Sequence, residues 1–181
     1  MTRVPLIDRT ATSPERKQLL DSIHGAFGAT PNMFRAVANS PAALKSLWGS
    51  FGALGGGVLD ARLGEEIAVA VADRNGCEYC LAAHTMLGKK AGATAEQMRE
   101  AQNAESSDPK TRAALQFAAR IVDTRGRVSD ADVKAVRDAG YGDEQIVEIL
   151  AHVALNLFTN YVNNALAVEV DFPAARLRNA A

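Results

Sequence analysis

Apolar residues recur three and four positions apart along most of the chain, the spacing that places them on one face of an α-helix. No convincing alternation of apolar and polar positions, which would predict strands, interrupts this pattern. Polar caps followed by proline mark helix starts, as at Ser13-Pro14 and Ser40-Pro41, and the glycine run at residues 55–57 marks an end. The pattern predicts an all-α fold of about eight helices in a single domain, residues 1–181.

Two of the predicted helices should organise the core. The segment from Ala61 to about Arg74 is apolar nearly all round, which indicates a central, buried helix. The longest segment begins at Asp143, runs to about residue 168 and is ended by Asp171-Phe172-Pro173. We expect the tail at residues 174–181 to fray.

The longest helix carries an unusual polar stripe within apolar surroundings, formed by His152, Asn156, Asn160 and Asn164 at four-residue intervals. Buried amides need hydrogen-bond partners, so the stripe is a solvent-facing surface, a subunit interface or the wall of an active-site cavity. Because the helix is otherwise apolar, we expect Asn156 and Asn160 to be buried and hydrogen-bonded, with His152 and Asn164 nearer the edges. We also expect the chain to associate with itself through apolar surface of this helix or its neighbours.

The charge pattern argues against nucleic acid and acidic membranes as binding partners. Lys and Arg total 20 against 21 for Asp and Glu, and the two signs are interspersed, so nothing indicates binding to nucleic acid or to an acidic membrane surface. No apolar run is long enough to cross a bilayer, and residues 1–8 lack the apolar segment of a signal peptide. A cytoplasmic protein is the expectation.

The only two cysteines in the 181 residues are Cys77 and Cys80, and His84 follows four positions later. An α-helix turns about 100° per residue, so these three side chains share one face over about two turns. The Asn75-Gly76 turn places the helix start at or near Cys77, where unpaired N–H groups stabilise a thiolate. In a reducing compartment such a pair is more often catalytic or metal-binding than a permanent disulfide. We interpret it as a redox-active dithiol.

Two other interpretations fit a cysteine pair of this spacing. Cysteine is often a small buried apolar residue, so the pair could belong to the core. Zinc could use Cys77, Cys80 and His84, but a structural site needs a fourth ligand, and His24 and His152 are isolated in the sequence. The sequence predicts neither a metal nor a flavin, so no cofactor is expected.

Glu65 and Glu66 begin the predicted central helix. One could be solvated near the helix start while the other points toward the cysteines. The Asn75-Gly76 turn between the two helices obscures their relative phase, so spacing alone does not choose between the carboxylates.

Glu65, then eleven residues, then Cys77-X-X-Cys80-X-X-X-His84, resembles the signature of the alkylhydroperoxidase D-like group of the carboxymuconolactone decarboxylase superfamily. The local match covers residues 65–87. Further segments resemble the peroxidase-related members of that group: residues 30–34, 158–161 and 171–173. The resemblance implies an all-α fold, homo-oligomerisation and reduction of hydroperoxides through the dithiol, without metal or flavin.

The resemblance also implies a role for each site residue. Glu65 is its inward-facing acid, which leaves Glu66 exposed, and His84 and Glu65 draw the proton from the attacking thiol. It assigns the attack on peroxide to Cys80 and resolution of the sulfenic acid to a more accessible Cys77. The residues alone favour Cys77 as the reactive thiol, because it lies nearer the helix start. The position of His84, one turn after Cys80, agrees with the family assignment.

The chain departs from the family pattern at Tyr79, where the best-known member has a histidine that joins a proton relay. The expected function is a thiol-dependent peroxidase, with a dithiol reductant that in the family can be a lipoyl-bearing protein. Two alternatives are a carboxymuconolactone-decarboxylase-type lyase, whose branch does not depend on a Cys-X-X-Cys, and a non-catalytic, redox-responsive helical oligomer.

Overall fold

The computed structural model describes residues 1–178, and that part of the chain contains nine α-helices and no strand. The helices are α1 Pro14–Phe27, α2 Asn32–Val37, α3 Pro41–Leu54, α4 Ala61–Arg74, α5 Glu78–Lys90, α6 Ala95–Gln102, α7 Pro109–Thr124, α8 Asp130–Asp138 and α9 Asp143–Leu166. The all-α prediction is confirmed, with one helix more than the expected eight. Within this range, no helix is both long and apolar enough to cross a membrane.

Side-chain caps fix most of the helix starts. A side-chain oxygen accepts the N–H three residues later at the starts of α3, α4, α6, α7 and α8, through Ser40, Asp60, Thr94, Asp108 and Ser129. Each such cap stabilises its helix by about 1 kcal/mol. These caps are short local patterns, which explains why the helix starts were predictable from sequence.

Helix α4 is the centre of the fold. It contacts α5, α6, α7 and α9, and every residue from Ile67 to Ala72 is buried. A helix covered on so many sides needs apolar residues all round, so the prediction of a central helix is confirmed.

Helix α5 lies close against α4 at Gly88. A Cβ on this glycine would lie 2.5 Å from Met98 Sδ and 3.4 Å from Glu65 Cβ. Gly88 lies one turn beyond His84 on α5. Because it has no side chain, it makes room for Met98 and lets α5 approach Glu65 of α4.

Part of the C-terminal tail that was expected to fray, residues 174–178, makes contacts with α4 and α6. The Arg178 guanidinium donates to Asp73 at 2.6 Å, and the Arg178 backbone N–H donates to the same carboxylate at 3.0 Å. Burial acts to raise the pKa of Asp73, but hydrogen bonds from Arg178 and Gln102 outweigh it and lower that pKa. These contacts join the end of the described chain to α4. Residues 179–181 lie outside the described part.

The polar stripe of α9 follows the prediction. Asn156 and Asn160 are buried, whereas His152 is half-buried and Asn164 is exposed. Asn160 Oδ1 accepts from Asn75 Nδ2 at 2.8 Å, and Asn164 Nδ2 donates to the Asn75 carbonyl at 2.9 Å. These two amides hold the α4–α5 turn, which precedes the cysteines, against α9.

We predict that Asn160→Leu destabilises the protein. Asn160 is fully buried, and its replacement would leave the Asn75 amide without its partner. An orphaned polar group of this kind costs about 1–3 kcal/mol. Chemical denaturation should show a loss of at least about 1 kcal/mol, whereas Asn164→Leu, at the exposed end of the stripe, should lose less. Equal stability of Asn160→Leu and wild type would show that the Asn75 contact is unimportant.

The opposite side of α9 is apolar and exposed. We call it the outer face of α9, and it is formed by Val147, Leu150, Ala154, Phe158 and Tyr161. Their spacing of three or four residues makes one continuous stripe along the helix. A stripe of this length is unusual on the surface of a monomer.

Candidate active site

The cysteine pair is located at the start of α5, as the sequence predicted. Gly76, with φ of +60°, turns the chain out of α4, and Cys77 is the N-cap of α5. Cys77 Sγ accepts the backbone N–H of Cys80 at 3.3 Å, so the first thiol occupies the capping position itself. Both cysteines are free and buried.

Two side chains of α9 contact the second thiol. Asn163 Nδ2 donates to Cys80 Sγ at 3.1 Å, and Thr159 Oγ1 lies 3.8 Å from the same sulfur. Both side chains are buried; Thr159 donates its hydroxyl hydrogen to the Asn156 carbonyl at 3.1 Å, so Asn163 is the donor to the sulfur. Hydrogen bonds donated to sulfur favour the thiolate over the thiol.

His84 and Glu65 form the third part of the site. His84 Nδ1 lies 2.7 Å from Glu65 Oε2, which joins α5 to α4 beside the cysteines. Burial acts to lower the pKa of His84, but the adjacent Glu65 carboxylate outweighs it and raises that pKa. The structure therefore places Glu65 against His84 and His84 beside Cys80, as the resemblance implied, although Glu65 is half-buried rather than the more buried of the two carboxylates.

The two thiols are electrostatically different. The hydrogen bond with Cys77 and the charge of His84 lower the pKa of Cys80 to about 6, against the opposing effect of burial. The pKa of Cys77 is raised, first by its hydrogen bond with Cys80 and then by burial. Cys80 is the thiol that ionises first, although Cys77 is nearer the helix start.

One expectation about Cys77 is wrong. It was expected to be the more accessible thiol, but its exposed fraction is 0 %, compared with 2 % for Cys80. As the N-cap, Cys77 is turned back over the first turn of α5. Cys80, by contrast, lies on the wall of a cavity.

The expectation that Glu66 is exposed is also wrong. Glu66 is only 3 % exposed, and its Oε2 has no hydrogen-bond partner within residues 1–178. The nearest cation is Arg62, with Nε 3.8 Å from Oε1. Burial raises the pKa of Glu66, and Arg62 offsets this only in part.

We predict that Glu66→Gln changes stability but not thiol reactivity. A carboxyl whose pKa is raised by folding stabilises the folded state at low pH, and this contribution is lost as pH rises through the folded-state pKa. The variant should therefore gain stability over wild type as pH rises, by up to about 1 kcal/mol at neutral pH. Thermal unfolding across a pH series measures this difference. A difference that is independent of pH would contradict the assigned ionisation.

A small apolar cavity of about 40 Å³ borders Cys80. We call it the apolar cavity; its lining residues include Cys80, His84, Thr159 and the aromatic side chains of Phe34, Phe51 and Phe172. Trp48 packs behind two of these rings, with its centroid 5.9 Å from Phe34 and 6.4 Å from Phe51. The thiol therefore faces a space that favours apolar groups.

Tyr79, one of the two residues between the cysteines, forms part of the wall of this cavity. Its hydroxyl accepts the Met33 backbone N–H at 3.1 Å, and its ring packs edge-on against Phe172 with centroids 5.4 Å apart. Burial raises the pKa of Tyr79, so its hydroxyl stays protonated and is a poor base. Tyr79 is a structural wall of the site and does not replace the relay histidine of the family.

A second, larger cavity of about 160 Å³ lies on the other side of His84. We call it the polar cavity, because its lining includes Asp60, Glu65, His84, His152 and Asn156. His84 and Phe51 line both cavities. The imidazole thus separates an apolar compartment at the thiol from a polar compartment at the carboxylate.

Sequence reasoning missed Asn163 and had no role for Thr159 beyond its place in a family-like segment. Asn163 follows Asn156 by seven residues, which returns it to within about 20° of the same direction on the helix. This seven-residue spacing is the sequence pattern that could have indicated a role for Asn163. Within residues 1–178, no group of three or more His, Cys, Asp or Glu side chains is arranged to hold a metal ion.

Comparison with known proteins supports these observations. Residues 41–120 match the carboxymuconolactone decarboxylase family. A peroxidase-related protein from Ralstonia eutropha JMP134, described as an alkylhydroperoxidase core, shares 26 % identity, with 94 % of this chain and 92 % of that chain covered at a TM-score of 0.81. No curated protein sequence matches this chain.

Two other solved structures share the fold. A peroxidase-related protein from Silicibacter sp. TM1040 is 24 % identical, with 98 % of this chain and 94 % of that chain covered and a TM-score of 0.81. The debrominase Bmp8, solved as a cysteine-to-alanine variant with 2,3,4-tribromopyrrole, is 19 % identical, with 94 % of each chain covered and a TM-score of 0.80. The family match over residues 41–120, together with the Glu65, Cys77, Cys80 and His84 arrangement, supports placing the chain beside the alkylhydroperoxidase D-like members of the carboxymuconolactone decarboxylase superfamily, which it resembles in fold and in site.

Proposed function

We propose that the protein is a thiol-dependent peroxidase that reduces organic hydroperoxides through Cys80 and Cys77. The observation that carries the proposal is the position of Cys80 on the wall of the apolar cavity, with Asn163 donating to its sulfur, an arrangement that goes with the lowered pKa of this thiol. A thiolate in a confined site is the nucleophile that such a reaction needs.

In the first step, the Cys80 thiolate attacks the outer oxygen of the hydroperoxide and the O–O bond breaks. The sulfur gains this OH to become a sulfenic acid, and the departing alkoxide takes a proton and leaves as an alcohol. His84 supplies that proton, because the Glu65 carboxylate raises its pKa and favours its protonated form.

In the second step, the Cys77 sulfur attacks the Cys80 sulfenic acid, a disulfide forms and water leaves. The hydrogen bond from the Cys80 N–H to Cys77 Sγ holds the two residues close together. An external dithiol then reduces the disulfide by exchange and is itself oxidised to a disulfide.

The test is consumption of an organic hydroperoxide by the purified protein with dihydrolipoamide as the dithiol. We expect catalytic turnover that is lost in the Cys77→Ser/Cys80→Ser double variant. Hydrogen peroxide serves as a comparison, since it cannot fill the apolar cavity with an organic group. Peroxide loss at the same rate with the double variant would overturn the proposal.

A second candidate is reduction of a carbon–halogen bond by the same dithiol. It is favoured by the aromatic side chains that line the apolar cavity and by the fold shared with a debrominase. The balanced reaction converts an organic bromide and two thiols to the hydrocarbon, a disulfide and hydrogen bromide. Release of bromide from tribromopyrrole, absent in Cys80→Ser, would support this candidate, and its absence with active peroxide turnover would exclude it.

We also propose that two copies of the chain associate through the outer face of α9. Its exposed members include Val147 at 62 % and Tyr161 at 59 %, which a partner helix of the same kind would cover. A self-complementary stripe of this spacing suits a symmetric pair of helices.

We predict that Ala154→Asp, at the centre of this face, produces a monomer. A charge buried between two apolar helices has no partner, so association should weaken by more than about tenfold. Sedimentation velocity measures the change. Ala131→Asp, the same substitution at an exposed alanine of α8, is the matched control and should leave association unchanged. A wild-type protein that is monomeric at high concentration would contradict the proposed pairing.

A further inference from the structure

His152 is the one histidine near the site to which the proposed reaction gives no role. Its ring lies against the backbone of α4 at Gly64, where an added Cβ would be 3.1 Å from His152 Cε1. Its Nε2 is buried and has no hydrogen-bond partner within residues 1–178. A buried ring nitrogen left unpaired costs about 1–3 kcal/mol, so a water molecule or ligand is its expected partner.

The polar cavity supplies the place for such a partner. His152 and Glu65 both line it, together with the polar side chains of Asp60 and Asn156. Glu65 Oε2 is held by His84, whereas Oε1 makes no hydrogen bond to any described residue. A polar cavity of about 160 Å³ holds several water molecules, and each can bridge two polar groups.

The charges around His152 favour its neutral form. Burial lowers its pKa and the charge of His84 acts in the same direction, while Glu148 and Glu65 oppose them. Asp60 is the other titratable group on the cavity wall. A neutral imidazole has one donor and one acceptor nitrogen, so it can hydrogen-bond water without competing with His84 for the charge of Glu65.

We propose that His152 is a positioning residue for the Cys80 thiolate: through water in the polar cavity it hydrogen-bonds Oε1 of Glu65 and keeps that carboxylate turned toward His84. The proposal rests on the roles that the proposed function gives to Glu65 and His84. The Glu65 charge favours protonated His84, and protonated His84 favours the Cys80 thiolate. Loss of the water-mediated contact between His152 and Glu65 should therefore lower the fraction of Cys80 that is present as the thiolate.

The experiment measures alkylation of Cys80 by iodoacetamide across a pH series, with the modified cysteine located by tandem mass spectrometry. His152→Phe removes both ring nitrogens but keeps a ring of similar size. We expect its pH profile to move upward and its rate at neutral pH to fall about five- to tenfold. His152→Gln, which retains hydrogen-bonding atoms, should recover much of the rate. His24→Phe, which removes a histidine outside both cavities, is the matched control and should leave the profile unchanged.

A second variant keeps the test decisive if His152→Phe does not fold. Gly64→Ala leaves the histidine in place but crowds its Cε1, and it should shift the profile in the same direction by a smaller amount. A profile that matches wild type in the folded His152→Phe protein, or in Gly64→Ala if the first does not fold, overturns the proposal. Because alkylation needs no peroxide, a His152-dependent profile without peroxide turnover would refute the proposed function and leave this inference standing.

Discussion

Alkylation of the reduced protein should fall almost entirely on Cys80, and Cys80→Ser should abolish it at neutral pH. The pKa of Cys80 is lowered to about 6, whereas that of Cys77 is raised. Reactivity should therefore be lost as pH falls through about 6, rather than through the value near 8.5 of an ordinary thiol. The midpoint of the pH profile is the more informative readout, since a thiolate of low pKa is also intrinsically less nucleophilic.

Substitutions of Cys77 provide the control for this result. Cys77→Ser retains a hydroxyl that can hydrogen-bond the Cys80 sulfur, so its midpoint should stay near that of wild type. Cys77→Ala removes the largest contribution to the lowered pKa, and its midpoint should rise. After peroxide treatment, Cys77→Ser should accumulate a Cys80 sulfenic acid that dimedone traps. Preferential alkylation of Cys77 in wild type would show that the two thiols have been assigned the wrong way round.

Glu65→Gln should reduce Cys80 alkylation at neutral pH roughly tenfold. Glutamine keeps the size and a hydrogen-bonding atom near His84 but removes the charge that raises the pKa of His84. With less protonated His84, the Cys80 thiolate loses a stabilising neighbour and the midpoint should rise. The alkylation pH profile measures both changes.

Glu66→Gln is the matched control, because it makes the same chemical change at the adjacent residue, which does not contact His84. Its profile should coincide with that of wild type. The double variant Glu65→Gln/His84→Gln should be little worse than either single variant, since both act through one contact. Equal losses in Glu65→Gln and Glu66→Gln would mean that the effect is a general one of charge on α4.

The helix bounds were predictable because they depend on neighbours in the sequence. The bounds of α3 and α4 agree with the prediction, and the caps Ser40 and Asp60 lie immediately before them. Helix α9 ends at Leu166, two residues earlier than predicted, because Ala167 adopts a left-handed conformation that no local pattern marks. A helix end such as this one, which no local sequence pattern marks, cannot be predicted from the sequence.

The site was predictable only in part, for two geometric reasons. The Glu65–His84 contact depends on how α4 and α5 pair across the Asn75-Gly76 turn, which spacing within either helix does not contain. A four-residue repeat also drifts about 40° per step around a helix of 3.6 residues per turn. The polar stripe therefore turns toward solvent along the helix, so that Asn164 is exposed, whereas Asn163 is buried and contacts Cys80.

The aromatic cluster beside the apolar cavity gives the protein an internal optical reporter. Trp48 is the only tryptophan in the chain, and two of the rings it contacts, Phe34 and Phe51, also line the cavity. Its indole N–H donates to Ser22 Oγ at 3.2 Å, which fixes the orientation of the ring. Entry of an organic molecule beside Cys80 must press on the same rings, so intrinsic fluorescence should follow occupancy and oxidation of the site in real time without any label.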